Sequence, residues 1–227
     1  MSNIRQEMNA PKRNVIDEES KISGRRAFRI ISLASLAIGI LTAFLPTLVY
    51  IAEGYEFSFF TTYLSDMGAT PVWPQVLFNT GTLLAAPLRM LVIILLGFQL
   101  YHMGATKRNC WGICIIGFVS TIGTILMTAV PYTVNLNMHK AGIGLYFLGI
   151  VFLQSLIGVT EWKIPELSRI MPILSWLMVV FYFIFVGFVV AFESGQVPRS
   201  APVVWEWLCY FCSMSWLAAH SYILGKA

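Results

Sequence analysis

Residues able to do chemistry gather in three short stretches. The first is Tyr63-Leu64-Ser65-Asp66-Met67-Gly68-Ala69-Thr70-Pro71, the second holds Asn135, Asn137 and His139, and the third holds Glu193, Arg199 and Glu206. Ser65, Asp66 and His139 are the residue types of a nucleophilic triad and are the candidate catalytic residues. Against that reading, an adjacent Ser-Asp pair does not place the carboxylate behind the histidine, and the chain has no Gly-x-Ser-x-Gly elbow. The structural alternative has Asp66 capping a turn or the helix that follows it, with His139 hydrogen-bonded to the carboxylate. Histidines at 102, 139 and 220 give no metal-ligand spacing, so neither a metal nor a cofactor is expected. Cys110 and Cys114 lie in one apolar run, and Cys209 and Cys212 in another. Packing, lipid attachment at Cys110, or redox and metal chemistry are their open readings.

A cation within an apolar run is the other chemical signal. Asn79, Thr82, Ala86 and Arg89 are spaced by three, four and three, which puts them on one helix face. Arg89 lies roughly 15 Å along the axis from Asn79. Burying it in a bilayer costs at least about 2.5 kcal/mol, so something must compensate it. The candidates are Glu206, or an anionic lipid headgroup gripped by the planar guanidinium fork. Glu206, Tyr210, Ser213 and His220 form a second polar stripe. The candidate binding residues are therefore Asp66, Asn79, Arg89, Asn137, His139 and Glu206.

The elements that position these residues are dictated by composition. Apolar residues make up 57% of the 227, and charged residues 11%. Soluble domains carry about 25% charged residues. A chain this apolar is not a soluble enzyme or a nucleic-acid-binding domain, and nucleic acid is not an expected partner. Six apolar runs of spanning length fall near residues 28–52, 76–102, 111–130, 141–160, 170–192 and 203–224. They lack the alternation of membrane strands. The expected fold is all-α: a polytopic membrane protein with six transmembrane helices over 27–227, behind a flexible, polar, cytoplasmic tail at 1–26.

Orientation follows from basic residues. Twelve of the Lys and Arg residues lie in the tail, the second and fourth loops and the C-terminus; only Lys140 and Arg199 lie on the other side. Both termini are then cytoplasmic. The first, third and fifth loops form an outward-facing polar cup, with the aromatic stretch 55–63 lying at the interface.

The run Tyr63-Leu64-Ser65-Asp66-x-Gly68-x-x-Pro71 after a first span resembles the superfamily of damage-regulated autophagy modulators and FGF-receptor-activating proteins. That group includes GPI-anchor lipid-remodelling proteins. Leu77-Phe78-Asn79-Thr80-Gly81, Thr128-Ala129-Val130-Pro131 and His139-x-Ala141 are similar to a prokaryotic six-span family of unknown function. The resemblance implies six helices with Ser65, Asp66 and His139 on the non-cytoplasmic side, and lipid-linked roles. Arg89 and the basic tail lie outside its motifs. The expected function is engagement of lipid headgroups in lipid remodelling or homeostasis. Membrane lipids are the expected partners, with other membrane proteins as further ones. Alternatives are a small-solute or ion transporter and a non-catalytic partner subunit. The expected location is the plasma membrane in a prokaryote, or an endomembrane or the plasma membrane in a eukaryote.

Overall fold

The computed structural model describes residues 10–130 and 134–225, with side chains described from residue 22. Pro131, Tyr132, Lys226 and the first nine residues of the expected tail lie outside the described residues. Six long helices follow one another: α1 Ala10–Ala52, α2 Trp73–His102, α3 Lys107–Ala129, α4 Leu136–Trp162, α5 Ile170–Glu193 and α6 Ser200–Leu224. A 3₁₀ helix at Leu64–Gly68 interrupts the first loop. The protein is an all-helical, polytopic membrane protein. Among the described residues, five helices are long and apolar enough to cross a bilayer, and α6 is not one of them. Glu206, His220 and several Ser, Trp and Tyr residues lower its mean hydropathy.

The backbone of α1 continues back to Ala10, through much of the stretch that the sequence places in the tail. Adding turns to an existing helix avoids the cost of nucleation, so Lys, Arg and Glu suffice to extend it. At the other end of α1, Pro46 lies inside the helix, and Thr47 Oγ1 donates to the Ala43 carbonyl at 2.8 Å.

Short connections force neighbouring helices to run antiparallel. The α3–α4 register shows it. Asn109 meets Thr160, Ser120 meets Gly149, Gly123 meets Tyr146, and Met127 meets Gly142. Side chains are nearly absent along this seam. A Cβ on Gly123 or Gly142 would strike the facing backbone, so the two helices approach as closely as small residues allow.

α6 packs on both α5 and α1, closing the ring. Tyr210 Oη donates to the Gly39 carbonyl at 3.3 Å, and Gly225 lies against Arg29. The stretch of α1 around Arg29 and the end of α6 therefore share one end of the ring. We call it the basic end, for Arg25, Arg26, Arg29, Lys107, Arg108, Lys163 and Arg169. The core inside the ring includes Phe28, Leu96, Ile113, Leu153, Met171 and Trp216. Outward faces carry large apolar side chains such as Leu148, Phe152 and Phe183, as a lipid-facing surface requires.

Candidate functional site

The first loop is folded back onto α6 by three side chains from that helix's beginning. Arg199 Nη1 donates to the Thr61 carbonyl at 2.9 Å. Trp207 Nε1 donates to the Thr62 carbonyl at 2.9 Å. Glu206 Oε2 accepts the Leu64 amide at 2.6 Å, at the open N-terminus of the 3₁₀ helix. Four consecutive residues thus have three backbone groups taken by α6. Carboxylates suit such a terminus because its amides lack intrahelical acceptors.

Asp66 faces the same helix. Arg199 Nη2 donates to both its oxygens, at 2.6 and 2.7 Å. Its Oδ2 also accepts the Tyr63 amide at 2.9 Å, so the carboxylate caps the turn that contains it. The Arg199 guanidinium lies 4.7 Å above the Tyr63 ring. Burial first, and Glu206 second, push the Tyr63 phenol up to about 12. Phe57, half-buried, and Phe59, still exposed on one side, lie against the Trp207 ring at 5.8 and 4.8 Å. Phe60 and Trp73 stay outside, 67% and 61% exposed. The expected interfacial stretch is therefore half anchor and half surface.

The other sequence candidates are dispersed. Asn79 Nδ2 donates to the Gly68 carbonyl at 3.4 Å, tying α2 to the motif. Ser65 is exposed beside Asp66, and its hydroxyl and amide join the Leu64 amide on the Glu206 carboxylate, so Ser65 and Glu206 are brought together. Asn137 is exposed in the first turn of α4. His139 Nδ1 is 3.0 Å from the Val130 carbonyl, at the end of α3. The partner found on Asp66 is Arg199, not the histidine expected from the sequence. Ser65, Asp66 and His139 are not shown assembled as a triad.

Arg89 does not meet Glu206, one of its two expected partners. Glu206 is engaged at the loop. The Arg89 Nη2 instead donates to Thr124 Oγ1 at 2.8 Å and Thr121 Oγ1 at 3.4 Å, both on α3. Each hydroxyl passes its own proton to a carbonyl four residues back, on Gly117 or Ser120, and so is free to accept. The guanidinium carbon lies 5.3 Å from the Tyr146 ring centre on α4, and Tyr146 bonds Tyr182 of α5, hydroxyl to hydroxyl, at 2.9 Å. Four helices thus meet in one polar layer halfway along α2. Arg89 Nε is buried with no partner among the described residues.

Sequence reasoning missed Arg199 as the partner of Asp66, Trp207 as the loop's anchor, and Glu161 altogether. Arg199 carried a usable signal, as one of two basic residues on a side rich in carboxylates. Glu161 carried none, because it ends an apolar run beside Trp162-Lys163 and looks like a boundary residue. In the structure Glu161 is fully buried, with its Oε1 at 2.7 Å from His220 Nε2. No metal-ligand cluster occurs among the described residues.

A family model described as Frag1/DRAM/Sfk1/Cwh43P N-terminal domain matches residues 27–222. No curated protein and no solved structure matches the chain.

Proposed function

The chain belongs to the Frag1/DRAM/Sfk1/Cwh43P N-terminal domain family, and from that premise we propose that it engages anionic lipid headgroups, in lipid remodelling or homeostasis. The observation that carries this reading is Arg89. It is a cation inside a membrane ring whose described partners are the uncharged hydroxyls of Thr121, Thr124 and Tyr146, with Nε left open. A phosphate or carboxylate would supply the missing charge, and guanidinium is the group best matched to either. The loop end supports the reading through its polar groups and its exposed Trp73, an aromatic type that settles at headgroup level.

Lipid mass spectrometry on protein purified in mild detergent tests it. Arg89→Leu should lose co-purifying anionic lipid while the helices remain folded, and Arg89→Lys should retain part of it. Equal lipid content in wild type and Arg89→Leu would sink the proposal. Water access to position 89 from both membrane faces would favour the transporter instead.

The proposed orientation follows the basic residues, with the basic end in the cytoplasm and Asp66 outside. Asp66→Cys and Lys107→Cys should then react with an impermeant thiol reagent from opposite sides. Labelling of both from one side would overturn that orientation.

A further inference from the structure

The hydrogen bonds around Glu161 fix a proton count, independently of the lipid reading. His220 Nδ1 lies 2.7 Å from the Trp216 carbonyl. A carbonyl only accepts, so Nδ1 carries a proton. His220 Nε2 lies 2.7 Å from Glu161 Oε1. Two bare acceptors repel at that distance, so one proton lies between them, whether as carboxylate with imidazolium or as carboxylic acid with imidazole. Trp216 Nε1, which only donates, is 2.8 Å from Ser175 Oγ. The serine proton is thereby free for Glu161 Oε2, 3.4 Å away.

The result is a closed circuit: Trp216 indole, Ser175, Glu161, His220 and back to the Trp216 carbonyl. It joins α4, α5 and α6, and the pair at its centre is 0% exposed. The His220 ring is stacked on Trp216 at 4.0 Å. Ser175 is what α5 presents to the pair. The charged side chains of this end are Arg25, Arg26 and Arg29 on α1, Lys107 and Arg108 on α3, and Lys163, Glu166 and Arg169 between α4 and α5; all are exposed except Arg25, which is half-buried. They leave the shared proton as the internal source of neutrality.

We infer that Glu161 and His220 form a buried proton-binding site that holds one proton and through it clamps α4, α5 and α6 at the basic end. Removing that proton sets a carboxylate against an imidazole lone pair. Adding a second leaves a buried cation beside a neutral acid. Either change loosens the circuit.

Thermal unfolding of the full chain in detergent, followed across pH, tests the site. The wild-type midpoint should fall by about 5 °C or more from neutral to alkaline pH. In Glu161→Gln the amide N–H donates to Nε2 and its carbonyl accepts from Ser175, so the circuit persists with no shared proton to lose. Its midpoint should match wild type at neutral pH and stay level on the alkaline side. Ser175→Ala breaks the circuit elsewhere and should keep the alkaline fall. Parallel pH profiles for wild type and Glu161→Gln would overturn the inference. So would unfolding of Glu161→Gln at neutral pH, because charge rather than the shared proton would then be holding the helices. Neither result bears on Arg89 or its lipid, which sit in a different layer.

Discussion

Asp66–Arg199 and Glu161–His220 are the two ion pairs among the described residues, and they hold opposite ends of the same helix. Arg199 precedes α6 and His220 lies near its end, roughly 30 Å away along the axis. Asp66 and Arg199 keep 26% and 48% of their side chains exposed, whereas Glu161 and His220 keep none. Water and salt screen the first pair and compete for it, so it orients the loop more than it stabilises the fold. The second has no solvent to fall back on. Everything there depends on each donor finding its acceptor, and a single missing partner leaves a buried charge.

The contrast gives a ranked set of substitutions. His220→Leu strands the Glu161 carboxylate and should cost about 3–5 kcal/mol in unfolding free energy. Adding Glu161→Met to it should recover much of the loss, since the double variant buries no unpaired charge. Failure to recover would show that the buried pair is not energetically isolated.

Glu206 is intermediate, because it is partly buried and receives a backbone amide. Glu206→Leu leaves the Leu64 N–H unpaired and should cost about 1–3 kcal/mol. Proteolysis within the first loop should rise with it, and an unchanged cleavage rate would remove Glu206 from the loop's anchors.

The exposed pair should give the smallest effect. A double-mutant cycle of Asp66→Asn and Arg199→Gln should return a coupling of about 0.2–1 kcal/mol that shrinks as salt is added. A salt-independent coupling above that range would erase the distinction between the two ends.

Much of the scaffold was legible in the sequence, because hydropathy reports depth directly. The apolar runs place the helices, and the acidic residue in a Gly- and Pro-flanked turn makes Asp66 a cap. Depth does not report which helix faces which. Asp66 lies 133 residues from Arg199, and Glu161 lies 59 from His220. Pairing them requires knowing that α6 returns between α1 and α5, and nothing in a single hydropathy pattern encodes that closure. The same ignorance of azimuth sent His139 to Asp66 and kept Glu206 among the candidate partners of Arg89. Thr121 and Thr124 escaped notice because threonine in an apolar helix ordinarily bonds its own backbone, as both do while also receiving Arg89.

The least apolar helix is also the one that emerges after the other five and fits between α1 and α5. During synthesis, Tyr63 and its neighbours wait for nearly 140 residues before Arg199, Glu206 and Trp207 arrive to take the loop's backbone groups. Until then the half-built assembly exposes Glu161 along an unsealed flank, with the acid's final acceptor still to be translated. Insertion of α6 is therefore a docking event more than a partitioning event. Its Ser, Trp, Glu and His side chains enter a niche already shaped for them, so nascent chains stalled before residue 200 should be the substrates that membrane quality control recognises.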